Sequence, residues 1–275
     1  MKRLFLIFMS VLLFLCGCDG NEASVSVAGN NVVLPKSDDY YCSLDNKRCG
    51  WGFRRTENGP EFTDGQISQM EEYGCIYKEN TKEKNLYLTF DEGYENGYTS
   101  VILDVLREKG VKAAFFVTAP YVKNEPELIS RMAKEGHIIG NHTVNHPSMP
   151  SLNDPDKIIN ELTELDRLIY NICGQNCKYF RPPMGEYSTR TLAVTKDCGY
   201  TNVFWSFAYV DWKNDVTADF AEKSVLNGLH NGAVILLHAV SKGNADALGN
   251  IIDKARKEGY TFKSLDEYNF EYLHR

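Results

Sequence analysis

The 275-residue chain has little of what marks a nucleic-acid binder, a repeat protein or a multi-pass membrane protein. It has no surplus of positive charge: 30 Lys and Arg stand against 37 Asp and Glu, a formal charge of −7. Phosphate backbones are gripped by concentrated basic surface, so this balance argues against nucleic acid as a partner. With nine prolines and no recurring period, the chain does not read as a solenoid. No apolar run is long enough to cross a bilayer comfortably. Eight cysteines are too few for a disulfide-stapled miniprotein, and no paired C-x-x-C spacing is there to form a zinc ribbon. The remaining composition, 43% apolar and 24% charged, is that of a globular protein able to bury a sizeable core.

The amino terminus carries one clear signal. Lys2 and Arg3 precede an apolar run from Leu4 to Cys16, broken only by Ser10, and Gly17-Cys18-Asp19 follow. A basic start, an apolar middle and a small-residue end form an export signal. Leu15-Cys16-Gly17-Cys18 also resembles a bacterial lipobox, in which the last cysteine, Cys18, receives lipid. Residues 1–17 are therefore expected to be a signal peptide of lipoprotein type, with an ordinary cleaved signal or an uncleaved anchor as alternatives. The expected location is extracytoplasmic, at the membrane through the lipid, or else secreted. Loss of residues 1–17 removes two cations and no acid, which moves the charge to about −9. Residues 18–50 read as a tether and 51–275 as the folded domain, with its core over about 66–265.

From residue 85 β-rich runs alternate with helical patterns. Strands are expected at 86–90, 113–118, 137–140, 178–181, 201–206, 233–238 and 260–263. Helices are expected between them: Gly110 stops one, Pro126 opens another, and Asp154-Pro155 caps a long one. Such alternation means parallel strands with crossover helices. No glycine-rich phosphate loop follows the first strand, as a nucleotide-binding open sheet would require. The expected fold is α/β, a distorted and incomplete (β/α) barrel of about seven parallel strands.

Polar residues fall at the carboxyl ends of those strands, the face where a parallel barrel gathers its chemistry. Asp91 and Glu92 follow the first strand, and His142 and His146 follow the third. Arg181 ends the fourth, Asp211 lies past the fifth and His238 ends the sixth. The i, i+4 spacing of His142 and His146 is expected to set both rings on one side of a helical turn, a common way to hold a metal. Two histidines plus a carboxylate leave positions open for water and substrate, as a catalytic zinc ion needs. A second carboxylate accepts a proton from water, and a separate histidine protonates a leaving group. The inventory fits metal-assisted hydrolysis of an amide or ester.

Thr89-Phe90-Asp91-Glu92-Gly93, His142-Thr143-Val144-Asn145-His146, Arg181-Pro182-Pro183-Met184-Gly185, Asp211-Trp212 and Leu236-Leu237-His238 resemble the five ordered motifs of the polysaccharide deacetylase family. This is the NodB homology domain, or carbohydrate esterase family 4. The match covers roughly residues 66–265. Trp51-Gly52-Phe53, the stretch 93–99, Val210-Asp211-Trp212-Lys213 and His238-Ala239-Val240-Ser241 followed by Asn244-Ala245 are similar to the narrower group of delta-lactam-biosynthetic de-N-acetylases, which act on muramic acid of spore cortex. The resemblance implies metal-dependent removal of acetyl from N-acetylmuramic acid of peptidoglycan. Its alternatives are an N-acetylglucosamine or chitooligosaccharide deacetylase, and a wall-binding lipoprotein of weak activity. It implies Asp91 as general base, Arg181 as its holder, Asp211 as an orienting carboxylate and His238 as general acid. His142, His146 and Glu92 become ligands of a divalent metal such as zinc, and the Met184 N–H a candidate oxyanion donor. Two departures stand out: Glu92 replaces the usual Asp or Asn, and Met184 replaces an aromatic residue.

Other readings stay open. Trp205, Tyr209 and Trp212 are either core or a stacking surface for sugar, and Tyr94 and Tyr98 either line the groove or pack. His137 is expected in the core, and His230 and His274 at the surface. Among six mature cysteines, Cys42 with Cys49 and Cys173 with Cys177 are the pairs close enough to close small loops, leaving Cys75 and Cys198 as buried thiols. The expected partner is a peptidoglycan glycan strand; no protein partner is inferable.

Overall fold

Residues 34–57, 59–213 and 215–270 are described by a computed structural model. The signal segment, Cys16, Cys18 and His274 lie outside the described residues. Before the barrel come α1 (Asp38–Ser43), β1 (Cys49–Gly50), β2 (Arg54–Thr56), β3 (Gly59–Glu61) and α2 (Asp64–Glu72). The alternating part begins with β4 (Asn85–Glu92), α3 (Thr99–Lys109), β5 (Ala114–Val117), α4 (Ala119–Asn124), α5 (Pro126–Lys134) and β6 (Ile138–Asn141). It continues with α6 (Pro155–Cys173), β7 (Tyr179–Phe180), β8 (Glu186–Tyr187), α7 (Thr189–Asp197) and β9 (Thr201–Asn202). Last come α8 (Ala218–Leu226), β10 (Ala233–His238), α9 (Lys242–Lys257) and β11 (Thr261–Lys263).

The seven-stranded sheet runs β10-β4-β5-β6-β7-β9, all pairs parallel, with β11 also on β4. Because β10 pairs along Leu86–Asp91, β11 and β5 divide the other edge of β4 between them. Beyond β9 the curl is carried back to β10 by single bridges, Ile76 to Val203 and Phe207 to Ile235. The result is the distorted, incomplete α/β barrel that the alternation predicts.

Local chemistry explains the element ends. Gly110 closes α3 and Gly174 closes α6, both in the left-handed region at φ 61° and 69°, which glycine occupies without a Cβ clash. Asp154 caps α6, its side chain accepting from the Asp156 N–H at 3.0 Å, and Pro155 occupies the first helical turn. Along β4, successive side chains point to opposite faces. Leu86, Leu88 and Phe90 pack with the helices in the outer core, whereas Tyr87 packs inside the barrel with Phe116, Tyr179 and Val234.

Several expectations need correction. Residues 34–50, read as the end of a tether, are packed: the wholly buried Tyr41 donates to Asp197 at 2.7 Å, and Arg190 donates to the Cys42 carbonyl at 2.7 Å. Among the described residues regular structure thus begins at Asp38. The fifth strand is short because the chain leaves the ladder after Asn202. The two proposed cysteine pairs are free thiols. Cys173 turns its thiol to its own helix, 3.3 Å from the Ile169 carbonyl, while Cys177 bonds the Asp166 carboxyl. Cys75 and Cys198 are buried thiols, as expected. Among the described residues no helix is long and apolar enough to cross a membrane.

Candidate active site

The carboxyl ends of β4, β6 and β10 and the loops after β7 and β9 surround one cavity of about 630 Å³. Asp91, His142, His146 and His238 line it together, although they come from three separate strand ends. Its apolar rim includes Tyr94, Met184, Trp205, Tyr209 and Trp212. A second cavity of about 460 Å³, between the β2–β3 hairpin and α8, holds none of the candidate catalytic or metal-ligating residues.

Asp91 ends the inward-facing row of β4. Arg181, entirely buried, donates through Nη1 to Asp91 Oδ1 at 2.7 Å, through Nη2 to Thr89 Oγ1 at 2.8 Å and through Nε to the Val203 carbonyl at 3.1 Å. The guanidinium also lies 4.2 Å from the centre of the Phe116 ring, a cation–π contact inside the barrel. Burial pushes the Asp91 carboxyl up, but Arg181, His142 and His238 outweigh it and hold the group below the usual carboxylate range. Asp91 is therefore charged at neutral pH.

The histidine loop is built differently from the expected helical turn. Residues 142–148 are irregular, and Thr143 and His146 take positive φ, 72° and 53°. Asn141 Oδ1 accepts from the Thr143 N–H at 2.9 Å and Thr143 Oγ1 from the His146 N–H at 2.9 Å, and these bonds hold the strained turn. The two rings still meet, with centroids 4.8 Å apart and nearly perpendicular planes. His142 Nδ1 lies 2.7 Å from the Arg181 carbonyl, which can only accept, so the proton sits on Nδ1 and the Nε2 lone pair is free. That Nε2 is 3.6 Å from Asp91 Oδ2. Burial above all depresses both histidines, His142 to about 4, so both are neutral at pH 7, as metal ligands must be.

These features fit an open ion site. Two uncharged imidazoles converge, one oriented by a carbonyl from behind, with a carboxylate beside them. Among the described residues no group of three or more His, Cys, Asp or Glu is placed to hold a metal ion, so His142 and His146 are the pair that would do so.

Glu92, expected as the third ligand, does not join them. It follows Asp91 on a strand, so its side chain turns to the helical layer with Leu88 and Phe90. There it interacts electrostatically with Glu95 and Tyr121, and both of its oxygens are buried without a hydrogen-bond partner among the described residues. Burial, then Glu95 and Asp91, push its carboxyl well above the ordinary value. The period of two in a strand could have given this from sequence, since adjacent residues cannot both face one cavity.

His238 ends β10 and donates through Nδ1 to Asp211 Oδ1 at 2.7 Å, which leaves Nε2 for the cavity. Asp211 is fully buried; its Oδ2 accepts from the His238 main-chain N–H at 2.7 Å and from Asn244 Nδ2 at 2.6 Å. Burial lowers the proton affinity of His238, but Asp211 overrides it and raises the group above the usual imidazole value. Met184, at φ 59°, and Trp212 are both 54% exposed at the rim, and Trp212 stands edge-on to His238 at 5.2 Å. Tyr94 also lines the rim, whereas Tyr98 packs on the outer core.

The remaining histidines divide. His137 is buried, with Nδ1 accepting from the Ala113 N–H at 3.2 Å. His230 is half-buried rather than on the surface, bonded to the Gly228 carbonyl at 2.9 Å and Ser206 Oγ at 2.8 Å. Thr89, Tyr209 and Asn244 support the site through contacts that spacing alone does not assign, because only the tertiary fold brings them there.

A family model described as polysaccharide deacetylase matches residues 78–203. The chain is 46% identical over 234 residues to the peptidoglycan-N-acetylmuramic acid deacetylase PdaA of Bacillus subtilis, covering 83% of this chain and 89% of that one. It is 34% identical over 203 residues to a peptidoglycan-N-acetylglucosamine deacetylase of Bacillus cereus, covering 72% and 73%. The solved structure of Bacillus subtilis PdaA, a family 4 carbohydrate esterase, superposes with a TM-score of 0.80 at 45% identity, over 83% of this chain and all of that one. With this similarity and with its site residues on one barrel rim, the chain belongs to the polysaccharide deacetylase family, carbohydrate esterase family 4, and is a hydrolase of amide bonds.

Proposed function

We propose that this protein is a metal-dependent de-N-acetylase of N-acetylmuramic acid in peptidoglycan, acting toward muramic delta-lactam in spore cortex. One observation carries the reading: Asp91, His142, His146 and His238 line the same cavity, with Asp91 held toward its charged form, the first two histidines toward their neutral form and His238 toward its protonated form. The name of the Bacillus subtilis relative supports the choice of sugar.

His142 and His146 would hold the divalent ion, zinc in our reading. When bound, the ion polarises the acetyl carbonyl and increases the acidity of water. The chain's own groups do the proton work. Asp91 Oδ2, free of Arg181, accepts a proton from the attacking water. Water oxygen bonds to the acetyl carbon, and the Met184 N–H faces the oxygen on which charge develops. As the C–N bond breaks, His238 Nε2 delivers its proton to the amine, and acetate and a free amino sugar depart. Tyr94 and Trp212 offer rings at the rim on which a sugar face packs.

The export-type amino terminus supports an extracytoplasmic lipoprotein anchored at Cys18, with a glycan strand as partner. Fatty-acid labelling that survives in Cys18→Ser would overturn the anchor. For the activity, the metal-loaded protein is incubated with peptide-stripped glycan and with chitooligosaccharide, and products are read by mass spectrometry. Deacetylated muramic acid is expected; activity on chitooligosaccharide alone refutes the choice of sugar. Chelation is expected to abolish acetate release and leave the fold intact.

A further inference from the structure

The carboxylate behind His238 is held in an unusual way. Asp211 has no solvent exposure, yet the donors that reach it are three N–H groups and no lysine or arginine among the described residues. Two of them, the His238 main-chain N–H and Asn244 Nδ2, converge on Oδ2 at 2.7 and 2.6 Å. Oδ1 is thereby left for the His238 ring. Two donors on one oxygen stop rotation of the carboxylate, and the ring nitrogen that faces the cavity inherits that orientation.

Asn244 is itself fixed. It is buried in the first turn of α9, where its main-chain N–H is capped by Ser241 Oγ at 3.3 Å. Its Oδ1 accepts from the Tyr209 hydroxyl, and its Nδ2 also reaches the His238 carbonyl at 3.2 Å. A flipped amide would set two acceptors, Oδ1 and the Asp211 carboxylate, against each other, so the carboxylate fixes which end of the amide faces it and the tyrosine hydroxyl donates to the other. Tyr209 in turn lines the cavity. A chain of contacts thus runs Tyr209, Asn244, Asp211, His238.

We infer that Asn244, held by Tyr209, is a positioning residue for the general acid His238, acting through its amide on Asp211. A neutral donor suits this place. It stabilises the buried carboxylate without setting a second cation beside an imidazole that must carry a proton. The inference rests on the reading of His238 as the acid and goes beyond it.

The test compares kcat and KM for acetate release from an N-acetylated glycan by metal-loaded wild type, Asn244→Asp, Asn244→Leu, Tyr209→Phe and His238→Ala. Asn244→Asp keeps the shape and removes the donor toward Asp211. It is expected to lower kcat roughly 10- to 100-fold with KM within about twofold, given the usual worth of a placed general acid. Tyr209→Phe should lose about 3- to 10-fold in kcat, the effect of one hydrogen bond. Asn244→Leu tests volume without polarity and should resemble Asn244→Asp; if it fails to fold, the other two variants carry the test. Wild-type kcat in Asn244→Asp overturns the inference, as does a loss confined to KM. If His238→Ala keeps wild-type kcat, the acid reading itself fails. If His238→Ala loses kcat and Asn244→Asp does not, only the present inference falls.

Discussion

The guanidinium of Arg181 donates to Asp91 Oδ1 across 2.7 Å with no part of the arginine exposed to solvent. A buried ion pair of this kind survives because each charge has its partner and the remaining donors are used, here on Thr89 and on main-chain carbonyls.

Breaking that pair from one side should be costly. Arg181→Met leaves Asp91 uncompensated and is expected to destabilise the fold by about 3–5 kcal/mol. Acetate release should drop roughly 100-fold or more, since a displaced base loses its line to water. Denaturant titration and steady-state rates check the two effects separately.

Asp211→Asn should move a pH limb. In the proposed mechanism His238 works protonated, so activity is lost as pH rises through its pKa, and Asp211 holds that pKa above the ordinary value. Without the carboxylate's charge the proton leaves earlier, and the basic limb of kcat/KM should shift to lower pH. A pH–rate profile of the variant beside wild type decides this; an unmoved limb would separate the limb from His238.

Glu92→Gln should leave metal binding alone and change the pH dependence of stability. The folded carboxyl titrates well above its unfolded value, so its contribution is complete below the unfolded pKa and is lost as pH rises toward the folded one. Wild type should therefore lose Tm from mildly acid to mildly alkaline pH more steeply than the variant. Zinc titration should give equal affinities, and a weakened variant would return Glu92 to the metal.

Gly140→Ala tests the packing behind the base. A Cβ at this position would lie 2.5 Å from Phe116, whose ring supports the Arg181 guanidinium. The expected loss is about 1–3 kcal/mol by overpacking, with a fall in activity transmitted through Arg181. Calorimetry together with rates would detect both.

Much of this was legible in the sequence. Apolar runs, the stop at Gly110 and the Asp154-Pro155 cap mark the barrel's elements, because those signals are local. The strand ends carry Asp91, Arg181 and His238 to one rim for the same reason. What escaped depends on geometry that spacing does not encode. His142 and His146 meet through two left-handed residues instead of a helical turn. Glu92 was read by its motif position, and the strand's alternation turned it away. Tyr41 looked like part of a tether until its hydroxyl met Asp197, 156 positions along the chain. Asn244 lies in a stretch the resemblance marks, but its bond to Asp211 is set by the tertiary fold.

Arg181 orients two groups by two different means: its side chain grips Asp91, and its main-chain carbonyl accepts a hydrogen bond from His142 Nδ1–H. Mutation reaches only the first. Every amino acid at position 181 brings a carbonyl, so genetic drift there can spoil the carboxylate while sparing the imidazole's tautomer. A lineage that lost the arginine would thus begin its decay with the His142 lone pair still turned to the cavity.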